Sequence, residues 1–186
     1  VFVSYKYGDD DVQHLNTMNW WEKTRVRNYV DILEREIKKV GCFYYGEHDG
    51  EDLTDLNEDQ IYDHLKDKIF PTTCTIVLIS PKMKEEHHYD KSQWIPWEIY
   101  YSIRMIDRKN STSHRNGILG VVLPDFNGNY DYALRKNSCC TSCCTTCFIN
   151  SMFRILRENM FNLKNAYKSK CLRSDEIWYG ECSYIP

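Results

Sequence analysis

Short apolar runs alternating with stretches of helical spacing constrain this chain more than any other feature. Residues 1–5 (Val1-Phe2-Val3-Ser4-Tyr5) and 42–45 (Cys42-Phe43-Tyr44-Tyr45) are mostly β-branched or aromatic, and residues 73–79 and 117–123 are near-continuous apolar runs. Runs of this kind fit strands buried on both sheet faces. Between the first two, Val26, Tyr29, Val30, Leu33 and Ile37 follow the i, i+3, i+4, i+7 spacing of an amphipathic helix over about residues 20–40, with Gly41 placed to end it. A second helix presents Ile61, Tyr62, Leu65 and Ile69 inward and stops at Pro71, and a third is expected over about residues 92–106. Strand and helix thus alternate four times. The expected architecture is a central parallel sheet with helices on both faces, an α/β fold, followed by a C-terminal helical extension containing Met152, Ile155, Leu156, Met160 and Leu163. No linker divides the chain, so one domain is expected over 1–186, with a core at about 1–125 and the extension at about 126–186. A strand at the very first residue leads us to expect that a short N-terminal piece is missing from this sequence.

The remaining composition narrows the partners. The chain has 186 residues, 42% of them hydrophobic, enough to bury roughly 70% of the surface exposed when unfolded. With 24 basic against 27 acidic side chains and a pI near 6.1, it lacks the basic balance of a nucleic-acid binder. No apolar run approaches the ~20 residues of a membrane span, and no signal peptide is visible, so a cytoplasmic protein is expected. Five of the nine cysteines lie between Cys139 and Cys147, and an odd, clustered count without a secretion signal reads as reduced thiols. Within that cluster, Cys140–Cys143 and Cys144–Cys147 abut, which makes a single tetrahedral metal site awkward. Packed or loop thiols fit best, ahead of acylation or redox sensing, so no metal is expected. Likewise Asp9-Asp10-Asp11 lacks the longer ligand pattern of a calcium loop and reads as a solvated loop. His87-His88 reads as an exposed polar pair.

In sheets of this kind ligands bind outside the carboxyl ends of the strands. The loops leaving those ends are residues 6–11, 47–57, 80–91 and from Pro124 onward. No GxGxxG, P-loop, GxSxG or HExxH signature is present. The informative segment is Ser92-Gln93-Trp94-Ile95-Pro96-Trp97-Glu98-Ile99-Tyr100-Tyr101. Pro96 fits only within the first turn of a helix, which fixes the start near Ser92 and makes Trp94 and Glu98 i, i+4 neighbours beside the end of the 73–79 strand. An indole plane next to a carboxylate suits a flat ring joined to a sugar: one stacks the ring, the other accepts from ribose hydroxyls or steadies an oxocarbenium ion. A plainer interpretation is a core tryptophan and a solvated glutamate near a helix N-terminus.

Phe2-Val3-Ser4-Tyr5, Ile76-Val77-Leu78-Ile79-Ser80-Pro81, and Ser92-Gln93-Trp94 followed by Trp97-Glu98-Ile99 resemble Toll/interleukin-1 receptor (TIR) domains over roughly residues 1–125. The similarity points to the prokaryotic group that includes the TIR proteins of Thoeris anti-phage systems. The resemblance implies a flavodoxin-like TIR fold and an enzyme that cleaves the nicotinamide–ribose bond of NAD+. NAD+ would be substrate, with no cofactor, and the product an ADP-ribose-derived messenger, often a cyclic isomer, that reaches a separate effector protein by diffusion. Glu98 matches the catalytic glutamate of that family and Trp94 its nucleotide-stacking tryptophan. The loop after the first strand, Ser4 to Gly8, would line the nicotinamide–ribose pocket, with Phe2, Ser4 and Tyr5 as the candidate pocket residues, and the acidic loop at 47–57 takes the place of the mobile BB loop, which gates the site and mediates assembly. Two alternatives stand beside this one: a non-enzymatic TIR adaptor, docking a basic surface through the acidic loop, and another N-glycosyl-transfer enzyme such as a nucleoside deoxyribosyltransferase.

Overall fold

The computed structural model describes residues 1–46, 57–108, 111–137, 145–148, 151–159, 168–170 and 177–179. In chain order its elements are β1 (Phe2–Ser4), α1 (Val26–Lys39), α2 (Glu58–Ile69), β2 (Cys74–Ile79), α3 (Trp94–Ser102), β3 (Ile106–Arg108), β4 (Ser111–Ser113), β5 (Gly117–Val122), β6 (Leu134–Asn137), β7 (Thr145–Phe148), α4 (Arg154–Asn159), β8 (Lys168–Lys170) and β9 (Ile177–Tyr179). Strands β1, β2 and β5 form a parallel sheet with β2 in the centre, in a register that pairs Ser4 with Val77 and Ile79 with Val122.

Strand alternation sorts the core into two layers. Val3, Ile76, Leu78 and Leu123 pack with Val26, Val30 and Ile37 of α1 on one face. On the other, Phe2 packs with Leu65 and Ile69 of α2, while Val77 and Ile79 meet Ile95 and Ile99 of α3 together with Ala133, Met152, Phe153 and Leu156. Both faces of β1 and β2 are therefore covered, as their apolar runs imply; β5, expected to be buried like β2, is the end strand of the described sheet, with Gly117 and Leu119 exposed and no residue of 117–122 fully buried. Local signals fix the helix ends. Asn57 accepts from the Gln60 backbone N–H at 3.0 Å, and Gln60 returns the contact by accepting from the Asn57 N–H at 3.0 Å, so α2 begins with a reciprocal cap. Gly41, at φ +76°, closes α1 in the left-handed region that favours glycine.

Other expectations of the fold need correction too. Residues 42–45 are not a buried strand. They run along the outer side of β1 through two backbone bonds, Val1 N to Phe43 O at 2.7 Å and Tyr45 N to Val1 O at 2.9 Å, with Cys42, Phe43 and Tyr45 exposed. The Cys42 N–H turns back to the Ile37 carbonyl, so the segment is spent closing α1 before it can extend a ladder. Helix α1 starts at Val26, because residues 19–22 form their own turn, with Glu22 N on Asn19 O and the Glu22 carboxylate accepting from Asn19. Helix α3 ends at Ser102 instead of near 106. The Ser102 carbonyl accepts from Asn116 N at 2.8 Å, which takes the acceptor the next turn would use, and 106–108 then pairs antiparallel with 111–113. The extension is not purely helical either: α4 is flanked by two antiparallel pairs, β6 with β7 and β8 with β9. Cys147 lies in β7 opposite Arg135, whereas residues 139–144 and 160–167 lie outside the described residues, as does the acidic loop at 47–56.

Candidate functional site

From β1 the chain passes to 42–45 on one side and returns to β2 on the other. The strand order thus diverges between β1 and β2, and the crevice at their carboxyl ends is the place where such sheets receive ligands. Two loops border it, residues 5–11 and 80–91. Buried Asp9 ties them together: its carboxylate accepts from Lys82 N at 2.7 Å and from Asp11 N at 2.9 Å, and its carbonyl accepts from Val26 N at 2.9 Å. Lys6 and Glu85 add an ion pair between the same loops. Asp10 sits between Lys23 and Lys82, each 3.2 Å away, and the bonds those lysines donate hold its carboxyl below the ordinary 3.8. The three aspartates therefore knit loops together, and only the first is buried; they are not a uniformly solvated run.

Gln93 fixes the 80–91 loop from the other end. Its side-chain oxygen accepts from Glu85 N at 2.9 Å, and its amide donates to the Glu85 and His88 carbonyls at 3.1 Å each. Sequence reading missed both Asp9 and Gln93. The position of Gln93 immediately before a helix was a usable signal; nothing local distinguishes Asp9 from its two neighbours.

Pro96 is the third residue of α3, inside the first turn, where its missing N–H leaves no bond unmade. Glu98 follows on the inward face, only 7% exposed. Across the strand–helix junction the hydroxyl of Ser4, the last residue of β1, donates to Glu98 Oε2 at 2.5 Å, and Ser4 is 1% exposed. One turn earlier Trp94 is 38% exposed. Its ring leans on Tyr62 of α2, with centroids 4.8 Å apart, and Tyr62 leans equally closely on Trp97, which stacks on Tyr101 at 5.4 Å. The half-open indole is thus buttressed from behind by an aromatic row that residue spacing alone does not assemble.

The structure brings Ser4, Glu98 and Trp94 to one corner of the fold. It places the other two pocket candidates elsewhere. Phe2 is 1% exposed among Leu65 and Ile69, so it holds α2 to the sheet. Tyr5 packs toward the α1-side core, and its hydroxyl accepts from Arg27 Nη1 at 3.0 Å. Ser80, at the carboxyl end of β2, is buried with no hydrogen-bond partner for its hydroxyl among the described residues.

Among the described residues no group of three His, Cys, Asp or Glu side chains could hold a metal ion, and His88 lies 3.1 Å from Glu85. No helix among them is long and apolar enough to cross a membrane. Chemically, the corner offers one buried carboxylate, one hydroxyl and one open aromatic face. Residues 2–127, from β1 through β5 and with all three of these side chains inside the span, match the sequence model of the family described as Thoeris protein ThsB, TIR-like domain. No solved structure matches the chain.

Proposed function

Because the chain belongs to the Thoeris ThsB TIR-like domain family, we propose that it is an enzyme that breaks the nicotinamide–ribose bond of NAD+. It converts the ADP-ribose part into a diffusible messenger, a cyclic ADP-ribose isomer, that acts in the cytoplasm on a separate effector in anti-phage defence. The observation that supports this best is Glu98: a carboxylate buried against Ser4 at the divergence of β1 and β2, one turn from an open indole.

The chemistry asks little of the protein beyond placement. Nicotinamide leaves its ribose as a neutral molecule from a cationic ring, taking the electron pair of the C1′–N bond, so no acid is needed. The sugar is left with positive charge at C1′ and the ring oxygen. A carboxylate held in a largely water-free setting stabilises that charge far better than one in bulk water, because its orientation cost is met in advance by the fold. Trp94 supplies a rigid plane for a heterocycle, which sets the distance between the sugar and Glu98. The nucleophile then decides the product. Attack by water gives ADP-ribose, and attack by a hydroxyl or ring nitrogen of the same ADP-ribose closes a ring; either nucleophile sheds one proton to solvent where it carries one.

Purified protein, alone and with extract from phage-infected cells, should release nicotinamide from NAD+, while Glu98→Gln should lose at least about 100-fold of that activity, the usual scale for removing a preorganised charge. Equal turnover by both proteins would remove Glu98 from the mechanism. Absence of turnover by wild type in both conditions would overturn the enzymatic reading in favour of an adaptor. Mass spectrometry of the nucleotide product separates ring closure from hydrolysis.

A further inference from the structure

We infer that Ser4 is a positioning residue that orients the Glu98 carboxylate, in place of the substrate contact expected from the sequence. Relative burial decides between the two roles. Ser4 is 1% exposed, so it offers a ligand almost no accessible surface, while its hydroxyl is already spent on Glu98 Oε2. The hydroxyl donates to Glu98 Oε2, a bond that is stronger when the acceptor is an ionised carboxylate.

Both partners stand on rigid elements. Ser4 is locked in register with Val77 of the central strand, and Glu98 sits in a helix with Pro96 in its first turn, entered from Gln93, whose side chain is tied to the 80–91 loop. A free glutamate has three rotatable bonds and loses rotamer freedom when fixed; the hydroxyl makes one orientation the preferred one before substrate arrives. A donor aimed at a carboxylate also favours its charged form over its protonated form. Ser4 thus contributes to the state Glu98 needs to stabilise a cationic sugar, and this role rests on the catalytic reading of Glu98 proposed above.

The test compares wild type, Ser4→Ala and Ser4→Thr in two measurements. Steady-state NAD+ cleavage is followed against pH, and the Glu98 carboxyl is titrated by NMR in protein carrying 13C-labelled glutamate, with Glu98→Gln identifying its resonance. Ser4→Ala should lower kcat about tenfold with KM unchanged within twofold, and should move both the acid limb and the carboxyl midpoint upward by about one pH unit. Ser4→Thr, which keeps the donor, should restore both. A rise in KM at unchanged kcat would overturn the inference in favour of a substrate contact, and a midpoint that stays or falls would overturn it by showing that Ser4 does not favour the charged form. If Ser4→Ala does not fold, Ser4→Cys, a weaker donor of similar volume, should show the same upward shift at smaller size, and no shift there would overturn the inference. The titration reads the carboxyl whether or not NAD+ is cleaved. A fully active Glu98→Gln protein would therefore sink the catalytic role of Glu98 while leaving the Ser4–Glu98 pairing to be judged separately.

Discussion

Helix α3 meets the sheet through two polar contacts one turn apart, and the two ends are built differently. At the carboxyl end of the strands, the Glu98 carboxyl accepts a hydrogen bond from Ser4. At the amino end, Ser102 belongs to a neutral buried network: Thr75 donates to Ser102 at 2.8 Å, Asn116 donates to Thr72 and Thr75 at 2.7 and 3.0 Å, and Thr72 donates to the Ile69 carbonyl at 2.7 Å. That network joins the end of α2, the start of β2, the end of α3 and the approach to β5. Neutral groups shared among four elements stabilise a fold with little desolvation cost, whereas a carboxylate at a ligand edge costs stability and offers chemistry. One end of α3 ties the fold together, and the other carries the proposed site.

Mutations should separate the two. The largest effect is expected from Glu98→Gln, which should lower NAD+ cleavage by at least about 100-fold while leaving the melting temperature within about 3 °C, because the amide oxygen of the substituted side chain still accepts from Ser4. Calorimetry showing a large loss of stability would merge the two ends into one structural unit. Asn116→Ala should do the reverse. Removing two buried donors costs about 2 kcal/mol, a fall of roughly 4–8 °C in a chain of this size, with turnover per folded molecule unchanged. Next in size is Ser80→Ala, which removes a buried hydroxyl without a partner among the described residues. It should raise the melting temperature by about 2–4 °C, and a drop would mean that the hydroxyl is satisfied in solution.

The smallest effect concerns pH. Burial tends to raise the Asp90 carboxyl, but the Arg154 backbone N–H at 2.9 Å and Lys84 at 3.0 Å outweigh it, so the group lies below the ordinary 3.8. A carboxyl depressed in the folded state adds stability above its unfolded value and loses it as pH falls through the folded one. Melting temperature should therefore decline below about pH 4, and less steeply in Asp90→Asn; parallel curves would remove this contact from the acid response.

Much of this was legible before any coordinates. Residues 73–79 announce themselves because a strand buried on both faces needs an unbroken apolar run, and α2 because its apolar spacing runs up to Pro71; the run at 117–123 marks β5 as well, but as the end strand of the described sheet it leaves Leu119 exposed. Residues 42–45 misled because aromatic identity says nothing about whether a neighbour arrives to cover it. At the site, the i, i+4 spacing put Trp94 and Glu98 together from sequence alone. The role of Ser4 was hidden in a contact between residues 94 positions apart. Period-two alternation did carry one unused signal: in a strand Tyr5 must face away from Ser4, so the two could not line the same pocket wall.

Tyr132 lies five residues past the matched span, with its hydroxyl 2.7 Å from the carbonyl oxygens of both Ile79 and Leu123. Beneath it Ala133, Met152, Phe153 and Leu156 cover Val77 and Ile79. This half of the sheet's carboxyl rim is already roofed by the chain itself. A polypeptide cut after residue 127 would lose more than an appendage. It would bare the apolar side chains of Val77 and Ile79 and hand the Leu123 carbonyl to water, leaving Ile79 only its bond from the Leu123 backbone.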